Sequence, residues 1–192
     1  MIKTSHLLAV LSFLVFSCNS VKPISDFGKN NKIEDKYDSI NDITFTKDAG
    51  GNKLNLIGKW KLYDLEKDEA DIFISHCPTF INDENIILEF AKWDSSKLPL
   101  VNKNNLDKTN NISLKYFKEI KAEILSSEYN SEKKYYLHKL KCASKTKTNE
   151  SYIAYILIGV KNKYVYKFAI SNFKEENYLN LNQYLIRLFN IN

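Results

Sequence analysis

Apolar and polar residues alternate with a period of two through most of the chain after residue 53. In LIGKWKLYDL, Leu56, Trp60 and Leu62 fall on one face with Lys59, Lys61 and Tyr63 opposite, the pattern of a half-buried strand. NIILEFAKW repeats it, with Ile86, Leu88 and Phe90 set against Glu89 and Ala91. In KYVYKFAIS, Tyr164, Tyr166, Phe168 and Ile170 share a face while Lys163 and Lys167 take the other. SYIAYILIGV is apolar on both faces, which predicts a central strand covered on both sides. Lys161-Asn162 joins it to KYVYKFAIS as a tight hairpin. A second hairpin runs through Asn130-Ser131-Glu132 into KKYYLHKLKC.

Two segments depart from this period. Tyr178, Leu181, Leu185 and Leu188 recur at three- and four-residue steps, an amphipathic helix. Asn172 is placed to cap it, Glu175 and Glu176 lie in its first turn and Arg187 in its last, all matched to the helix dipole. Residues 113–125 fit a helix through Phe117, Ile120 and Ile124, and also a strand through Leu114, Tyr116, Ile120, Ala122 and Ile124; the helix is the preferred reading. The expected fold class is α+β: an antiparallel sheet of about six strands with a C-terminal amphipathic helix and one internal helix.

Residues 19–53 contrast with this. They hold few large apolar residues, six lysines against six acidic residues, and no clear period, a composition that cannot bury enough apolar surface to offset chain entropy. The expected organisation is therefore a signal over 1–17, a tether over 18–53 and one globular domain over 54–192. The whole chain is 192 residues, 44% hydrophobic, with a net charge of +5, enough for a single core. All but one of its 28 basic residues are lysine, Arg187 being the exception, and asparagine and isoleucine abound. That is the signature of AT-rich bacterial coding, so the basic charge does not argue for a nucleic-acid partner.

The signal is the apolar run from Leu7 to Phe16 behind Lys3, about half the roughly 20 residues a membrane span needs. It ends in Val15-Phe16-Ser17-Cys18, which resembles the lipobox of bacterial lipoproteins. That resemblance implies cleavage before Cys18, acylation of its sulfur and anchorage by the lipid. Asn19 stands where aspartate would retain such a protein at the inner membrane, so the resemblance implies an outer-membrane anchor facing the periplasm. Asp38-Ser39-Ile40 is similar to the acceptor motif of some bacterial O-glycosylation systems.

With Cys18 assigned to the anchor, Cys77 and Cys142 remain, and an even pair in an oxidising compartment predicts a disulfide. Such a bridge is worth up to about 4 kcal/mol in loop entropy. Free thiols, or a metal held by His76, Cys77, His138 and Cys142, are the alternatives; on a strand, however, His138 and Cys142 stand about 13 Å apart, too far to share a metal. No metal and no cofactor are expected.

The usual signatures of catalysis are absent: no Gly-rich phosphate loop, no His-Glu-x-x-His, no Gly-x-Ser-x-Gly and no Cys-x-x-Cys. Lys133, Lys134, Lys139, Lys141 and Lys145 crowd one strand and its exit, interleaved with Tyr135 and Tyr136. They form a candidate binding surface for anionic groups or an acidic protein, or else a solvated strand face that protects an edge. Trp60 and Trp93 are expected in the core.

Leu56-Ile57-Gly58-Lys59-Trp60 resembles the Gly-x-Trp start of lipocalin-like domains, implying a β-barrel around a small apolar ligand. The order of elements from Phe73 onward, with the tail NKYVYKFAISNFKEENYLNLNQYLIRLF, resembles the PsbP and Mog1 type of α/β/α sandwich, whose members are mainly binding or assembly factors. The function expected is thus a non-catalytic, membrane-anchored binding or assembly lipoprotein. A lipocalin-like carrier and a periplasmic immunity or inhibitor protein against a toxin are the alternatives.

Overall fold

The computed structural model describes residues 33–48, 51–63, 79–94, 106–143, 150–172 and 180–192. Strands β1 (Ile33–Asp38), β2 (Ile43–Asp48) and β3 (Lys53–Ile57) pair in that order as a small antiparallel sheet. The main sheet uses β4 (Trp60–Leu62), β5 (Thr79–Asn82), β6 (Ile87–Asp94), β7 (Glu123–Asn130), β8 (Tyr135–Ala143), β9 (Ser151–Lys161) and β10 (Tyr164–Asn172). Its seven strands run in the order β4-β5-β6-β10-β9-β8-β7, each antiparallel to its neighbour. Helix α1 (Leu106–Glu119) lies on one face and α2 (Leu181–Ile191) on the other, beside β3.

The central strand behaves as its composition dictates. Leu157 on β9 packs with Phe168, Leu185 and Leu188 under α2, while Ile156 and Ile158 pack with Phe117 under α1. The alternation read in β6 and β10 also holds: Leu88, Phe90, Tyr166, Phe168 and Ile170 all enter the core beneath α2. Both hairpins form, with Asn162 (φ 56°) and Lys134 (φ 55°) taking the left-handed turn positions.

Several expectations need correction. The main sheet has seven strands, not about six, and a second sheet accompanies it. Its margins β4 and β7 do not meet, so the sheet is open and the lipocalin-like barrel does not form. The ambiguous stretch 113–125 is both things: helix to Glu119, a left-handed turn at Lys121 (φ 56°), then strand from Glu123. Asn172 does not cap α2 but ends β10, paired with Ile153; the cap position of α2 is Asn180, and Glu175 and Glu176 lie outside the described residues. Leu62, expected inside, is exposed at the margin of the sheet.

The tether is the largest correction, because residues 33–57 fold. The inward positions of β2 are Thr44, Thr46 and Asp48, all buried, and threonine has high strand propensity without counting as a large apolar residue. Hydrogen bonds compensate their burial. Thr44 Oγ1 donates to the Gly58 carbonyl at 2.7 Å and accepts from the Trp60 N–H at 2.9 Å, and Thr46 Oγ1 donates to the Leu54 carbonyl at 2.9 Å. Leu54, Leu56 and Trp60 then join the core under α2, with Ile33 packed against it. The signal, Cys18 and the rest of residues 1–32 lie outside the described residues.

Candidate functional site

The chemistry-bearing side chains gather at two places: the β7–β8 margin of the sheet and the face beneath α1. On β8 the period of two sends Tyr135, Leu137, Lys139 and Lys141 to the α2 side, and Tyr136, His138, Leu140 and Cys142 to the α1 side.

The lysine-tyrosine cluster is therefore divided. Lys133 and Lys134 are exposed in the β7–β8 turn, where the Lys133 N–H donates to Asn130 Oδ1 at 2.8 Å. Tyr135 is not part of any surface: it is 6% exposed and meets the Phe189 ring edge-on at 5.8 Å. Lys139 is half-buried with its Nζ 5.8 Å from the centre of the Tyr155 ring, Lys141 is exposed, and Lys145 lies outside the described residues. Nor do these lysines protect an edge, since β8 is paired on both sides and the edge strand is β7. That strand is exposed from Glu123 to Tyr129 and bears Ile124, Leu125 and Tyr129 in solvent. Tyr129 lies against Tyr136 with ring centres 4.6 Å apart, and the Tyr136 hydroxyl donates to Asp107 Oδ1 of α1 at 2.7 Å. That carboxylate acceptor pushes the Tyr136 hydroxyl up to about 12.

Beneath α1 the sheet carries a set of polar residues, of which the sequence pattern set Glu89 and Lys167 opposite the core face. Glu89, Ala169, Ile156 and His138 lie in one row across four strands, and Ala91, Lys167, Ile158 and Tyr136 in the next. Glu89, Lys167 and His138 are all buried. Lys167 Nζ sits 5.6 Å and 5.7 Å from the ring centres of Tyr116 and Phe117 on α1, where the ring faces favour the ammonium. Burial, then the charges of Glu89 and Glu119, raise the Tyr116 hydroxyl.

His138 is 0% exposed. Its Nε2–H donates to Asn110 Oδ1 of α1 at 2.7 Å, which leaves Nδ1 as a buried acceptor with no hydrogen-bond partner among the described residues. Burial, then the nearby charge of Lys167, depress its pKa to about 4, so the imidazole is neutral at physiological pH. The neutral, buried ring ties α1 to the sheet through Asn110. Sequence reading missed this set, though a signal was present: Ala91, Ala154 and Ala169 supply small residues on that face, the space a packed helix needs.

Of the two predicted bridge residues, Cys142 is buried on the α1 side; Cys77 and His76 lie outside the described residues. No group of three or more His, Cys, Asp or Glu side chains among the described residues could hold a metal ion. Among them, too, no helix is long and apolar enough to cross a membrane.

No protein-family model matches the chain, and no curated protein matches it. Among solved structures it is similar to the solution structure of cyanobacterial PsbP (CyanoP) from Synechocystis sp. PCC 6803. Identity is 13%, covering 91% of this chain and 92% of that one, and the TM-score is 0.39. At that score the likeness carries no argument.

Proposed function

We propose that this protein is a lipid-anchored module of the outer membrane that faces the periplasm and binds or assembles with a protein partner without catalysing a reaction. The observation that carries this reading is the contrast between the two polar regions. The titratable groups under α1 are sealed from solvent, whereas the β7–β8 margin presents Ile124, Leu125, Tyr129 and Lys141 to it. Exposed apolar and charged side chains fixed on paired strands suit recognition, where rigid elements hold contacts in place. Cys18 supplies the membrane attachment, two or more acyl chains being sufficient for stable anchoring.

The test uses the full chain in its own envelope. Wild type should partition into detergent and Cys18→Ala into the aqueous phase, and cross-linking from the β7–β8 margin should trap one protein species. The Ile124→Ser/Tyr129→Ser variant, which changes two exposed side chains of the margin and no charge, should lose that species while retaining its fold. A water-soluble wild type, or a cross-linking pattern indifferent to the margin, defeats the proposal.

A further inference from the structure

Strand β7 ends the main sheet: seven of its eight residues pair with β8, and among the described residues no strand pairs with its other side. Every second N–H and C=O along its outer side therefore faces away from the sheet. Natural edges are blunted by lysine, proline, shortness or a bulge. The sequence EILSSEYN contains no lysine or proline, and its single irregularity is the bulge between Ile124 and Ser126. The five residues from Ser126 to Asn130 are regular and open.

The two sides of this strand differ in chemistry. Glu123, Ser126 and Glu128 share the α2 side with Leu137, Lys139 and Lys141, while Ile124, Ser127 and Tyr129 share the α1 side with Tyr136, His138 and Leu140. Glu123 has Lys141 opposite on β8, but Glu128 has Leu137. Among the described residues Glu128 makes no ion pair.

We infer that β7 accepts an extended segment of a partner protein as an eighth strand along Ser126–Asn130, with a basic side chain facing Glu128 and an apolar one beside Tyr129. The inference deepens the binding function proposed above and rests on it. Main-chain hydrogen bonds would supply affinity and the alternating side chains specificity. A second copy of this chain fits less well. The two-fold register that uses all of 126–130 is centred on Glu128 and sets the two carboxylates directly opposite each other, an unfavourable pair. Other in-phase registers shorten the ladder or run into the bulge.

The probe is a capped nine-residue peptide alternating lysine and valine, titrated against the full chain at about 0.15 M salt, where long-range charge effects are screened. Saturable binding is expected. Glu123→Lys/Glu128→Lys should weaken it at least tenfold, and the same variant should gain affinity for a glutamate-valine peptide. N-methylation of the four central peptide residues should abolish binding, because it removes donors from both strand edges while keeping every charge. No binding, binding indifferent to N-methylation, or a wild-type dimer in sedimentation that Glu128→Lys dissolves would each overturn strand addition. If the peptide fails while the Ile124→Ser/Tyr129→Ser variant still loses its cross-linked species, the binding function survives and only this mode of capture falls.

Discussion

Gly159→Ala tests how tightly α2 closes on the sheet. Gly159 lies on β9 between Tyr135 of β8 and Tyr166 of β10, and the Phe189 ring of α2 rests on it. A β-carbon at this position would stand 2.6 Å from Phe189 Cε2 and Cζ and 3.1 Å from Tyr135 Cβ. Carbon atoms pack at about 3.5–4.0 Å, so the ring would have to retreat by about 1 Å. It has little freedom to do so: Phe189 meets Tyr135 and Tyr166 edge-on, each at 5.8 Å. Its helix end is also tied down, since Asn192 accepts from the Asn55 N–H at 3.0 Å and donates to the Asn55 carbonyl at 2.9 Å. Overpacking of this kind costs about 1–3 kcal/mol. The lost glycine entropy in the unfolded chain returns about 0.4–1 kcal/mol, leaving a net loss of about 1–2 kcal/mol. For a domain of this size that is a Tm fall of roughly 2–8 °C. Urea unfolding of Gly159→Ala, Phe189→Leu and the double variant measures it. The double variant should be more stable than the sum of the single losses implies. A neutral Gly159→Ala, or strict additivity, would refute the close contact.

Burial holds His138 at about 4, below its ordinary 6.5, so the unfolded chain takes up a proton that the folded one refuses. Its contribution is fully present above pH 6.5 and is lost as pH falls towards 4, by about 3 kcal/mol at most; urea midpoints at pH 7 and 4.5 should differ less in His138→Gln than in wild type. Unreduced tryptic digests should contain Cys77 and Cys142 linked, and reduction should lower Tm, with about 4 kcal/mol as the ceiling from loop entropy; free thiols in protein purified without reductant would remove the bridge.

The strands that the alternation marked clearly are those whose inward residues are large and apolar, as in Tyr164, Tyr166, Phe168 and Ile170. Where inward positions carry threonine and aspartate, as in β2, the same period was present but hidden from a reading that counts only bulk. Helix α1 was half legible, because Phe117 and Ile120 sit at helical spacing while Ala122 and Ile124 belong to the strand that follows. The burial of Glu89 and Lys167 was illegible for a different reason. Alternation tells which residues share a face, but whether that face meets water or a helix depends on an element elsewhere in the chain. Lys167 sits opposite Tyr166 and Phe168 and so reads as exposed; only α1, some fifty residues earlier, makes it buried.

The same dependence explains why one part of the sheet is sealed and another left open. Seven strands at about 4.8 Å spacing make a surface roughly 29 Å wide, whereas a helix with its side chains is only about 10–12 Å across. The one helix that the described residues place on each face cannot cover that width. On one face the small sheet extends the cover around α2, through Leu54, Leu56 and Trp60. On the other, Phe117 of α1 seals the middle strands, with Lys167 and His138 beneath it, and Tyr129 at the β7 margin stays 52% exposed. Among the described residues, exposure of β7 therefore follows from the number of strands and helices, not from a local defect in its sequence. A substitution that merely made β7 more polar would leave its outer N–H and C=O groups as available as before.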